Sequence, residues 1–136
     1  NDTEQADSLS VLTEGIDYLW DAAEEAGIAD RLFVVVGSDF SRTPFYNSAE
    51  GKDHWPYGSY MIMEKGANFT NRVIGGTDER QYALKVDPST LEISNFGSRI
   101  LPSHVHSAMR SYLGLDRSEL VNQFSFNNTE SFSFFS

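Results

Sequence analysis

The chain has 136 residues, 40% of them hydrophobic and 13% aromatic, which suits one domain with a real core and argues against wholesale disorder. Ten Lys and Arg stand against 20 Asp and Glu, and the resulting charge of −10 repels phosphate backbones and anionic lipid, so nucleic acid and membrane surfaces are not expected partners. The absence of cysteine excludes thiol catalysis, disulfide bonds and cysteine-ligated zinc.

No apolar run approaches the roughly 20 residues that cross a bilayer as a helix, so the chain is not expected to be transmembrane. It opens NDTEQADS with neither Met nor a charged-then-apolar leader, the expectation for a processed or trimmed product. Residues 8–26 read as an amphipathic helix. Leu9, Leu12, Ile16, Leu19, Trp20 and Ala23 recur at spacings of three and four, with Ser8 as N-cap and Gly27 as C-terminal stop. LFVVV at 32–36 is continuously apolar, which suits a strand covered on both faces, and SYMIM at 59–63 is a second such strand. Helix, short turn and buried strand in succession predict an α/β sheet.

RVIGGTD at 72–78 reads as a short strand entering a glycine turn. QYALKVD and LEISNF read as shorter, more exposed extended segments on either side of Pro88. A second helix is expected over 103–113, capped by Ser103 and ended by Gly114. The tail QFSFNNTESFSFF alternates Phe with small polar residues around Asn127-Asn128, which predicts a hairpin whose phenylalanine face covers something. The expected organisation is thus an α/β segment over 1–120 and a Phe-rich terminal hairpin or tail over 121–136.

Two polar clusters carry the candidate chemistry. VVVGSDFSRTP at 34–44 leaves a strand through Asp39 and Arg42, and GKDHWP at 51–56 presents Asp53 and His54. Parallel α/β sheets collect ligands where strands end, so a carboxylate there beside an imidazole-bearing loop and an arginine has the parts of a metal site with an anion-binding group. Zinc accepts carboxylate and imidazole, while calcium or magnesium prefers the carboxylates. The same residues also suit a structural network, with Asp39 pairing to Arg42 or capping a turn and Asp53 and His54 bonding the loop backbone.

Ser38 and Ser41 lack the Gly-x-Ser-x-Gly elbow of a serine nucleophile. GGTD at 75–78 lacks the lysine and helix of a phosphate loop and reads as a turn. His104 and His106, two apart on a helix, diverge, and each is expected to cap or pack. Trp55, Tyr57 and Tyr60 read as core before cleft, and Glu50, Lys52 and Lys65 as solvated.

The order LFVVVGSDFSRTP, GKDHWP, strand, VIGGTD and a helix ending YLGLD resembles the C-terminal part of an exported bacterial family, domain of unknown function 1501, over about residues 9–116. That family is similar to the sulfatases and alkaline phosphatases, hydrolases of sulfate and phosphate esters with metals at their strand ends. The resemblance implies a partial alkaline-phosphatase-like sheet with flanking helices, metal ligation by Asp39, His54 and Asp53, anion binding by Arg42, and a periplasmic or extracellular location. Asp39 stands where the family pattern has Glu, Ser41 where it has Gly, and Phe40 where alkaline phosphatases carry a second metal-binding His. The superfamily's nucleophile lies upstream of the helix seen here. The chain is therefore expected to be a C-terminal fragment, inactive alone, whose partner is its own upstream half or a second copy. The alternative is a non-catalytic interaction or assembly module on the same fold, associating through Phe132 and Phe134.

Overall fold

The computed structural model describes residues 2–126 and 130–136. The chain is mixed α/β, with helices and two small antiparallel sheets. It divides into two compact units, Asn1–Ala67 and Asn68–Ser136.

In the first unit, helix α1 spans Asp2–Glu25 and begins six residues before the predicted start. Ser8 is therefore not a cap: its Oγ donates back to the Glu4 carbonyl at 2.8 Å inside the helix. The polar opening turn carries Asp2 and Glu4, whose charges suit the positive end of the helix dipole. The predicted C-terminal stop holds. Gly27 takes φ 65°, Ile28 N–H donates to the Ala23 carbonyl, and Gly27 N–H donates to that of Glu24, the paired bonds of a Schellman end. The apolar stripe is only partly covered: Ala23 is buried, Ile16 and Trp20 are half-buried, and Leu9 is 54% exposed.

A 3-10 turn at Ala29–Arg31 leads into β1, Phe33–Val36, which pairs antiparallel with β4, Met61–Glu64. The register sets Phe33 against Glu64 and Val36 against Met61. The expected cover on both faces is not found, since Val35 and Met61 remain exposed. A continuous apolar run satisfies either strand direction, and here the partner runs the other way. Between them, β2 (Ser41–Arg42) pairs antiparallel with β3 (His54–Trp55).

The second unit centres on Val86, which is 0% exposed and bridges both Ile93 and Ser98. The extended segments predicted here shorten to isolated bridges, because the turn at Asp87-Pro88-Ser89-Thr90 and the positive φ of Leu91 (62°) interrupt them. Asp87 Oδ1 accepts from Ser89 Oγ and from the amides of Ser89 and Thr90. Those bonds, the Ser89 hydroxyl first, stabilise the carboxylate and lower its pKa to about 2. A depressed carboxylate contributes stability above its unfolded value near 4 and loses it as pH falls through the folded value. We expect an NMR titration to place the Asp87 midpoint near 2, and Ser89→Ala to move it upward. A wild-type midpoint at the unperturbed value would remove this turn as an acid-sensitive element.

Helix α2 spans Pro102–Tyr112, with Pro102 in its first turn. Its start is fixed by His104 rather than by the predicted Ser103: His104 Nδ1 accepts the Leu101 N–H at 3.1 Å. Gly114, at φ 69°, ends it with a second Schellman pair, Leu115 N–H to Arg110 O and Gly114 N–H to Ser111 O. A short helix α3, Glu119–Gln123, follows, with Ser118 Oγ accepting the Val121 N–H. The predicted hairpin has its turn, Asn127-Asn128, outside the described residues. The described arms carry no strand: 124–126 leave the end of α3 without regular structure, and 130–136 have none either. Its phenylalanines nevertheless cover a core: Phe132 and Phe134 are 4% and 8% exposed and stack at 5.1 Å, and Phe135 stacks on Tyr112 at 4.7 Å. Ser133 N–H donates to the Pro88 carbonyl, and an Arg72 guanidinium N–H to that of Phe134, which ties the tail into the unit.

Candidate metal and anion site

The two polar clusters meet as opposite strands of one hairpin. Cross-strand pairing sets Arg42 directly against His54 and Ser41 against Trp55. The connecting loop is closed by backbone and side-chain bonds. Thr43 N–H donates to the Asp53 carbonyl at 3.0 Å, and Asp53 N–H returns to Thr43 Oγ1 at 3.1 Å, with Thr43 buried. Asn47 Oδ1 takes the amides of Ala49 and Gly51, an Asx-type turn nucleus. Ser41 Oγ donates to the Tyr57 and Trp55 carbonyls, a structural use that fits its lack of a nucleophile motif.

The predicted site residues are used unequally. His54 is exposed, and Phe40 stacks on its ring at 3.7 Å, with the Arg42 guanidinium 5.2 Å from the other aromatic centre, that of Phe40. The ring nitrogens of His54 and the carboxylate of Asp39, also exposed, make no hydrogen bond or ion pair with the described residues. Asp53 differs: its Oδ1 accepts from Asn47 Nδ2 at 2.8 Å, and adjacent residues of an extended chain point to opposite faces, so it does not share the face of His54. Arg42 donates through Nη1 to the Lys52 carbonyl at 3.1 Å and not to Asp39, so the alternative of a structural Asp39–Arg42 pair is not realised.

Among the described residues, no group of three His, Asp or Glu is placed to hold a metal ion. Among the described residues no contact joins Asp39 to His54, and Asp53 is engaged in bracing its own loop. A cation directly opposite His54 also raises the cost of a metal there unless further carboxylates offset it.

The family model described as a protein of unknown function, DUF1501, matches residues 1–124. The chain belongs to that family. The match extends beyond the resemblance at both ends and leaves most of the Phe-rich tail, from residue 125 on, unmatched. No curated protein and no solved structure matched the chain. No described helix of this DUF1501 member is long and apolar enough to cross a membrane.

The remaining candidates resolve as structural. His104 is 4% exposed, tilts against Phe132 at 4.9 Å and caps α2, so it combines the expected capping and packing roles. His106 is exposed, near Phe126. In GGTD, Asp78 Oδ1 accepts the amides of Arg80 and Tyr82, which is the chemistry of a turn. Two lysines read as solvated also make ion pairs: the exposed Lys65 bridges Glu24 and Asp30, and the more covered Lys52 pairs with Asp2. No local signal announces the Lys52 contact, because its partner lies 50 residues away.

Proposed function

We propose that the chain supplies one part of a metal and anion site in an exported hydrolase of the sulfatase and alkaline phosphatase type, and that the upstream part of the same protein supplies the rest. The supporting observation is the unengaged His54, set directly across the hairpin from Arg42, with the unengaged Asp39 just before the strand that carries Arg42. The β1–β4 ribbon agrees with it. Two strands alone are marginally stable, and this pair leaves apolar outer edges that further strands of a larger sheet would cover. In that assembly Asp39 and His54 hold the metal from one side, Arg42 steadies the anionic group of the substrate, and Phe40 fixes the plane of the imidazole. A metal held by these residues would supply Lewis-acid polarisation of a phosphoryl or sulfuryl oxygen. The exported setting places it in the periplasm or outside the cell.

The test has two arms. The chain alone is expected to show neither tight zinc binding by calorimetry nor phosphatase or sulfatase turnover. The longer protein is expected to show both, and Asp39→Ala or His54→Ala to lower its turnover by at least about 100-fold. Turnover by the chain alone that Asp39→Ala abolishes would overturn the division of the site between two segments.

A second reading, a non-catalytic interaction module, is favoured by one observation. Leu9, Val11 and Tyr18 leave α1 with more apolar surface than its own unit covers. The route expected for it, association through Phe132 and Phe134, is opposed by the burial of both side chains in the second unit.

A further inference from the structure

A separate group of side chains meets at a shallow hollow of about 430 Å³ in the first unit, lined by Arg42, Tyr46, Glu50 and Lys52 together with Asp2 and Gln5 of α1. The Tyr46 hydroxyl donates to Asp2 Oδ1 at 2.6 Å, and Lys52 Nζ reaches the same oxygen at 3.2 Å. The Lys52 ammonium is held 5.0 Å from the centre of the Tyr46 ring, where the ring face attracts it. The backbone carbonyl of Lys52 holds Arg42 Nη1, and the other guanidinium N–H groups make no hydrogen bond with the described residues.

The two sides of this contact are unlike. Tyr46 and Lys52 stand on the closed hairpin loop, with the Lys52 side chain 23% exposed, whereas Asp2 arrives from the first turn of α1 with its side chain 73% exposed. Lys52 is largely covered and Tyr46 is about half exposed at 47%, while the acceptor is presented from solvent. We propose that Tyr46 and Lys52, with the Arg42 fork at the rim, form a binding site for a small dicarboxylate, and that Asp2 occupies it as an internal competitor. The occupant already present defines the chemistry of the first carboxylate. The unused planar edge of Arg42 suits a second, which it can grip through two parallel N–H bonds. A hollow of this size admits a small organic anion. Its charge is balanced by Asp2 and Glu50 against Arg42 and Lys52, so withdrawal of Asp2 leaves it net positive in an otherwise acidic protein. The Tyr46 bond, then the Lys52 bond and charge, hold the Asp2 carboxyl below its ordinary pKa, as expected for an anion in a receptive site.

This inference shares Arg42 with the proposed function but uses neither Asp39 nor His54. The experiment titrates the full chain with succinate and, separately, sulfate, following NMR shifts of Tyr46 and Lys52. Asp2→Asn is expected to bind succinate about fivefold more tightly than wild type, because an internal competitor weakens a ligand by the fraction of sites it closes. Lys52→Met in that background is expected to weaken it at least about tenfold. Tyr46→Phe, which keeps the ring and removes only the hydroxyl, is expected to weaken succinate without moving the melting temperature. Asp39→Ala is expected to leave succinate binding unchanged, which separates this site from the metal reading. No saturable succinate binding by Asp2→Asn, or binding indifferent to both Lys52→Met and Tyr46→Phe, would sink the proposal. Sulfate bound as tightly as succinate would overturn the dicarboxylate assignment.

Discussion

Phe132→Ala is expected to cost about 3–5 kcal/mol, a large share of the stability of a small domain. Its ring lies nearly parallel to that of Phe134, 9° between planes, and 4.9 Å from that of the buried His104. Truncation therefore removes apolar area and also the wall against which the α2 cap rests. Glu130, two residues before, accepts from Ser98 Oγ at 2.8 Å and lies 3.8 Å from His104 Nε2, so the tail and the start of α2 are braced as one network. Phe126 is the control: it is exposed beneath the Arg110 guanidinium, and its truncation is expected to cost about 1 kcal/mol or less. Denaturant unfolding of both variants decides the matter. A lower midpoint at unchanged slope for Phe132→Ala is the expected outcome. Unchanged stability with a smaller particle mass would instead make the tail an association surface.

What was legible in the sequence follows the range of the physics involved. The ends of α1 and α2 at Gly27 and Gly114 were readable because a left-handed C-terminal residue is a local demand that glycine meets. The start of α1 was not. Asp-Thr-Glu-Gln-Ala-Asp has no apolar period to detect, so Ser8 looked like a cap where the chain was already helical. Strand direction was also hidden, since FVVV and MIME satisfy a parallel or an antiparallel neighbour equally well by composition. The hairpin that unites the two clusters has strands of two residues, too short to show a period, although Asn47 with Gly51 was a turn signal in plain view.

The candidate site divides the same way. Its residues were legible from the resemblance, and the structure adds how each is used: Asp39 and His54 unengaged, Asp53 spent on Asn47, Arg42 anchored on a carbonyl. Residue type and the resemblance together assign Asp53 and His54 to one role. Extended backbone turns neighbours to opposite faces, and Asp53 is engaged by Asn47 while His54 is not.

Gly97→Ala is expected to be the most damaging single-methyl change in the chain. A Cβ built there would overlap the Val86 carbonyl and lie 2.7 Å from the Asp87 nitrogen, all backbone atoms. Val86 cannot retreat: its amide and carbonyl both pair with Ser98, at 2.9 and 3.0 Å, and its side chain is fully buried. Relief requires opening that bridge, at a cost of about 3 kcal/mol or more, the upper range for overpacking. Two other glycines grade the effect. Gly37→Ala meets the Tyr60 ring at 2.8 Å, a partly exposed side chain that can swing aside, so a smaller loss is expected. Gly15→Ala meets nothing within 4 Å in the middle of α1 and is expected to stabilise by about 1 kcal/mol through helix propensity. Thermal melts of the three variants should rank Gly15→Ala above wild type, Gly37→Ala below it and Gly97→Ala lowest. If Gly97→Ala melts with wild type, the close approach of that backbone to Val86 does not exist in solution, and the core of the second unit is packed in some other way.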